Sequence, residues 1–311
     1  MIRSWSRAFF LCLLLATPEA LSAQEKKTID LARTVPLADV HMHLNGGHDA
    51  DHYRGLMDRA NVRWGGGVGG GRDDHPLEVK SILGARYIAA LGQTEFFGVL
   101  LTSGERALYD PEQPLFQRLF AYAPAAFKNG LARGFGEIHI NNISPFSPAR
   151  GQRRIDLESP VVQKMFDLAN RHGGFVQIHT MSNSGLDEIL QASARYPDVK
   201  IVLSHCLPGA STRQLDTLFR ARANLYCELS AQGPMHRIER VYGKFGLREE
   251  WRDLIERHPS RFMVGSDACC GLENRYEEII QEIRTYLLPA LSEKTMRRVA
   301  SENARQVFRL Q

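Results

Sequence analysis

From residue 35 onward, eight short apolar runs rich in β-branched residues alternate with segments of helical period. This constrains the chain more than any other feature, because parallel strands need long crossovers and helices are the usual ones. The runs predict strands at 37–43, 62–67, 86–92, 134–140, 175–180, 200–206, 224–230 and 262–267. Segments 161–172, 186–196, 212–221 and 248–258 carry apolar residues at helical spacing. No linker rich in Pro, Ser or charge divides them, so one α/β domain over 30–311 is expected, a single (β/α)8 TIM barrel. A doubly wound sheet is the alternative. The run 65–71 does contain G-x-G-x-x-G at Gly65, Gly67 and Gly70, but no apolar helix follows, so it reads as a flexible loop.

Composition narrows the function classes. At 43% hydrophobic and 24% charged, the chain can bury a core and is neither collagen-like nor disordered. Lys and Arg number 39 against 35 Asp and Glu, and a net charge of +4 gives no electrostatic case for nucleic acid. Residues 1–23 read as a signal peptide, with Arg3 and Arg7, an apolar run over 8–16 and small residues around Ala20 to Ala23. The apolar run is shorter than the ~20 residues that cross a bilayer, so export is expected, with no membrane span once the leader is removed. Cys206, Cys227, Cys269 and Cys270 match no zinc or redox spacing but fall near the ends of the sixth, seventh and eighth strands. A Cys206–Cys227 bridge is reachable if their Cα atoms lie within ~7 Å, and buried free thiols are the other reading.

The polar residues of these strands gather at one end. Asp39-Val40-His41-Met42-His43 closes the first run, and the period of two aims Asp39, His41 and His43 at one face. With Cα atoms ~6.8 Å apart, both imidazoles can reach one ion at zinc's ~2.1 Å bond length. The pair alone decides little, since 11 histidines in random order give roughly 0.4 such pairs. Position decides more, because His179, His205 and Asp267 also end apolar strands. Buried imidazoles and carboxylates are costly unless paired or metal-bound, and the C-terminal strand ends are where a barrel's catalytic groups converge.

Together, Asp-x-His-x-His on the first strand, His179 and His205 on the fifth and sixth, Gly265-Ser266-Asp267 on the eighth and the closing segment 301–310 resemble the amidohydrolase superfamily. The likeness spans residues 35–310 and is strongest to the amidohydrolase-related (amidohydrolase 2) branch. It implies a distorted barrel holding one or two divalent ions, usually zinc. His41, His43 and Asp267 would hold the first ion, and His179 and His205 a second, or they would complete a one-ion site and polarise substrate. Glu137, in Gly136-Glu137-Ile138-His139, resembles the bridge of some two-ion members, although a salt-bridged structural carboxylate is the competing reading.

The expected activity is hydrolysis of an amide, lactone or ester in a small molecule. Asp267 would be the proton carrier, and His205 or the ion would polarise the carbonyl. The runner-up is a metal-dependent decarboxylase, which needs groups gripping a carboxylate, with Arg275 and His139 as the available substrate-binding candidates. A non-catalytic exported metal- or solute-binding module is the reading from another class. Residues 48–52 and His75 read as solvated loop, and Arg150, Arg153 and Arg154 as a surface cluster that could meet an anionic substrate.

Overall fold

Side chains alternate along the strands with a period of two, and that alternation sorts the core into two clusters. Val176 and Ile178, Ile201 and Leu203, and Leu225 and Cys227 face the helices, whereas Phe175, Val202 and Tyr226 join an inner cluster with Ala38, Trp64, Ala90 and Met263. The structure, a computed structural model, describes residues 23–44, 49–69, 75–142 and 153–311, without the side chains of 23, 75–77 and 182–184. The expected leader up to residue 22, His48, Gly70, Gly71, Arg150 and the side chain of His75 lie outside the described residues.

The strands are β1 (Leu37–Asp39), β2 (Val62–Gly66), β3 (Tyr87–Ile88), β4 (Ala90–Gly92), β5 (Gly134–His139), β6 (Phe175–His179), β7 (Lys200–Leu203), β8 (Leu225–Glu228), β9 (Tyr242–Gly243), β10 (Gly246–Leu247) and β11 (Phe262–Met263). One parallel sheet runs β1-β2-β3 and another β4-β5-β6-β7-β8-β11, while β9 and β10 form a small antiparallel hairpin. The third predicted strand is thus split at Ala89 into β3 and β4. Val40 N–H donates to the Val264 carbonyl at 3.1 Å, so the first and last barrel strands lie side by side. This is the TIM-barrel arrangement that the alternation implied.

The four predicted helices are present as Pro160–His172, Ser182–Arg195, Thr212–Ala221 and Glu249–Arg257. Glycine at position 173 in left-handed conformation ends the first, and a Ser211–Gln214 capping box starts the third. A helix at Ala23–Thr34 precedes the barrel, and the buried Arg284 guanidinium donates to the carbonyls of Ala32 and Val35 at its end. At the N-terminal end of the barrel, Phe308 of the closing helix sits edge-on to Phe175 at 4.6 Å. One ring buried to this degree contributes about 1.5–3 kcal/mol, so the closing segment is a plug.

The glycine run departs from expectation. Gly65 and Gly66 belong to β2, and residues 64–69 are buried. At Gly67 φ is +85°, and a Cβ would fall on the Val40 carbonyl. The run is therefore close packing between neighbouring strands, where only hydrogen fits, and not a loop over this part. Among the described residues, no helix is long and apolar enough to cross a membrane.

Candidate metal centre

At the C-terminal strand ends, five imidazoles and two carboxylates offer ligand atoms in overlapping groups, each spanning no more than 4.8 Å. The groups are His41 with His43 and Asp267, His41 with Glu137 and His205, and Glu137 with His139 and His179. The Nε2 atoms of His41 and His43 lie 3.2 Å apart, and Asp267 Oδ1 is 3.5 and 3.1 Å from them. Glu137 reaches both halves of the cluster. Its Oε2 is 3.6 Å from His41 Nε2, and its Oε1 is 3.0 Å from His179 Nδ1 and 3.5 Å from His205 Nε2. On adjacent strands His139 pairs in register with His179, so the two rings stack at 4.5 Å. The seven residues expected at the site from sequence, His139 included, are thus brought together.

Four of them lie past the ends of the paired strands. Paired β structure stops at Asp39, Leu203 and Met263, short of the predicted ends, and beyond it His205 and Asp267 are aimed by bent backbone with positive φ of 52° and 51°. Cys206 and Leu207 continue the left-handed turn at 50° and 57°. Such backbone costs non-glycine residues about 1–3 kcal/mol each, so it persists only where other contacts hold it. Arg240 supplies them, donating to the carbonyls of His205 at 2.8 Å, Cys206 at 2.9 Å and Leu207 at 3.1 Å. The Cys206–Cys227 disulfide, with Cα atoms 4.6 Å apart, ties the same turn to β8. Cys269 and Cys270 are free thiols.

The site is rich in buried negative charge, which is the fit a divalent cation requires. Burial would raise the Glu137 and Asp267 carboxyls, but the surrounding histidines win and hold both well below the usual range. Burial would likewise strip the proton from His41, yet Glu137, Glu228 and Asp267 push it up to about 10. These carboxylates hold either protons on the imidazoles or metal ions between them.

Sequence reading missed the residues behind the candidate ligands. Glu228, fully buried, accepts from His41 Nδ1 at 2.9 Å, from the His205 backbone N–H at 2.6 Å and from Ser230 N–H at 2.8 Å. A metal-binding imidazole needs such a partner on its other nitrogen. The signal was available, since Glu228 ends an apolar strand and shares the inward parity of Tyr226. Asp39 is no ligand candidate, because its Oδ1 accepts from the backbone of His41 and Ser266 at 3.1 and 2.8 Å and ties the first strand to the last.

The two arginine expectations fare differently. Arg275 is exposed on a surface turn and paired with Glu278. Arg153 is not a surface residue. It is 2% exposed, lies over the Phe97 ring at 4.8 Å and donates to His139 Nδ1 at 2.7 Å, while Arg154 stays exposed. Asp49 accepts from His52 N–H as the cap of helix Ala50–Arg59, which accounts for part of the polar segment 48–52.

The chain matches the family described as Amidohydrolase over residues 25–310. No curated protein matches it by sequence. Among solved structures it is similar to a TatD homologue from Escherichia coli, at 13% identity with TM-score 0.57, covering 88% of this chain and 98% of that one. It is also similar to 2,6-dihydroxybenzoate decarboxylase from Rhizobium, at 12% identity with TM-score 0.54 and coverage of 89% and 99%. A third likeness is to an amidohydrolase from Burkholderia multivorans with bound zinc, at 16% identity with TM-score 0.50 and coverage of 85% and 89%.

Proposed function

This chain belongs to the amidohydrolase family, and from that premise we propose that it is a metal-dependent hydrolase of an amide, lactone or ester in a small molecule. The observation that carries the reading is Asp267, a partly exposed carboxylate whose Oδ1 lies among the ligand nitrogens of His41 and His43. His41, His43 and Asp267 would hold one zinc ion, and His179 and His205 a second, with Glu137 between them. When bound, zinc supplies Lewis acidity, acidifying water to near neutrality and polarising a carbonyl.

The chain's own groups then handle the proton. The neighbouring imidazoles keep Asp267 ionised at neutral pH, ready to accept a proton from the attacking water and pass it to the leaving group. Glu228 accepts the Nδ1 proton of His41, which leaves the Nε2 lone pair directed into the cluster. His205 Nδ1 is 2.8 Å from Ser230 Oγ, which holds its Nε2 toward Glu137. The decarboxylase reading is the less favoured one, because Arg275, its candidate carboxylate grip, is exposed and paired with Glu278.

Export is part of the proposal. The leader-like residues 1–23 support it, and so does a disulfide, which persists in oxidising compartments. The test is a panel of chromogenic esters, lactones and amides, with zinc-loaded and chelated protein compared. Turnover should need the metal, and Asp267→Asn should lower it about 10²–10⁴-fold. Full turnover in zinc-loaded D267N, or in chelated protein, would overturn the reading.

A further inference from the structure

By distance alone His139 belongs to the ligand set, since it groups with Glu137 and His179. Arg153 decides otherwise. Its Nη2 is 2.7 Å from His139 Nδ1, and His139 Nε2 is 2.8 Å from Glu137 Oε2. A guanidinium has only donors and stays protonated, so Nδ1 of His139 must be the acceptor. The one proton of a neutral ring then sits on Nε2, where Glu137 accepts it. No other assignment satisfies both contacts, because a proton on Nδ1 would set N–H against N–H. A metal ligand needs its lone pair on the nitrogen facing the ion, and that nitrogen is here the protonated one. Phe97 holds the arrangement, packing edge-on to the His139 ring at 5.0 Å and beneath the Arg153 guanidinium at 4.8 Å. Arg153 has no carboxylate partner among the described residues, and its Nε and Nη1 are buried without acceptors, so the contact to His139 is its one side-chain hydrogen bond there.

We propose that Arg153 is a positioning residue that locks His139 as the Nε2–H tautomer, making it a hydrogen-bond donor to Glu137 and not a metal ligand. This rests on the reading of Glu137 as the group between two ions. The second ion is left to His179, His205 and Glu137. The Arg153–His139 pair orients the shared carboxylate and carries positive polarisation onto it. Sequence places the three members at 137, 139 and 153, two of them in β5 and the third beyond it.

Histidine-selective ¹⁵N spectra of the metal-free protein test the tautomer directly. The wild type should show an unprotonated Nδ1 and a protonated Nε2 at His139, and Arg153→Met, which keeps an apolar stem over Phe97, should give a tautomer mixture. Zinc titration against a competing chelator, with metal analysis of the washed protein, tests the consequence. His139→Gln, which offers both a donor and an acceptor, should hold as many ions as the wild type. His139→Ala should keep that number with affinity lowered about 10–100-fold, the usual effect of removing an outer partner. His179→Gln should hold one ion fewer. A protonated Nδ1 in the wild type, or loss of an ion by H139Q to match H179Q, would overturn the proposal. If the wild type binds no zinc, the hydrolase reading fails, while the nitrogen shifts still decide the tautomer, as they do if a variant does not fold.

Discussion

Replacing Glu228 by Gln tests whether the site is organised from behind. The carboxylate takes the N–H groups of His41 and His205 on Oε1 at 2.9 and 2.6 Å, and that of Ser230 on Oε2 at 2.8 Å. A Gln carbonyl can occupy the Oε1 place and keep the first two. Its amide NH₂ must then face Ser230 N–H, leaving two buried donors unmade at about 1–3 kcal/mol each, or about 2–6 kcal/mol in all. A domain with the usual 5–15 kcal/mol of stability survives most of that range. Zinc affinity should also fall about 10–100-fold, because His41 Nδ1–H loses a charged acceptor and its ring orientation loosens. Urea unfolding of the metal-free protein measures the first quantity, and zinc competition with a chelator the second. E228Q that is destabilised yet binds zinc within twofold of wild type would refute the orienting role and leave Glu228 a fold residue only.

Three further expectations follow from separate parts of the structure. Although burial opposes it, the facing carboxylates lift the metal-free His41 from 6.5 to about 10, so its stabilising charge is complete below about 6.5 and lost as pH rises through about 10. Zinc uptake at pH 7.5 must displace that proton, and calorimetry in two buffers of different ionisation enthalpy should show its release; identical heats would contradict it. Replacing Cys206 and Cys227 by Ala opens a cross-link between residues 21 apart and should cost about 3 kcal/mol, with reductant lowering the wild-type melting temperature in the same direction; a wild-type melt indifferent to reductant would count against the bridge. Gly67→Ala sets a Cβ on the Val40 carbonyl at φ +85° and should cost about 2–5 kcal/mol, whereas Gly84→Ala, at φ +54° with open space around it, should cost about 1 kcal/mol; equal urea midpoints for the two variants would refute the close-packing account.

The barrel strands were legible because each is a local pattern. Apolar runs of β-branched residues announce strands, and the period of two says which residues share a face, as for Gln177 and His179 with Phe175. Helix Thr212–Ala221 could be bounded closely because its cap signals lie beside it. The clustering of the candidate ligands was legible for the same reason, polar side chains being anomalous at the ends of apolar strands. Arg153 and Arg275 show the limit of such reading. Both are arginines in polar loop segments, and nothing local says that one lies under the site while the other pairs with Glu278 in solvent.

Sequence by itself determined the strand and helix alternation, the inward parity of His179 with Phe175, and the candidate ligands from His41 to Asp267, whereas the face of Glu137 depends on a register shift between Phe135 and Ile138. Tertiary structure alone decided how those candidate ligands are aimed and which charges and donors face them. Glu228 meets His41 across 187 positions, and Ser266 meets Asp39 across 227. The left-handed turn at His205 depends on Arg240, 35 residues away. Periodicity is set by a residue's own backbone and its immediate neighbours, and so it can be read along the chain. Tautomer, proton affinity and left-handed backbone are set by whichever charges and donors arrive at contact distance, and closing the barrel is what brings them there.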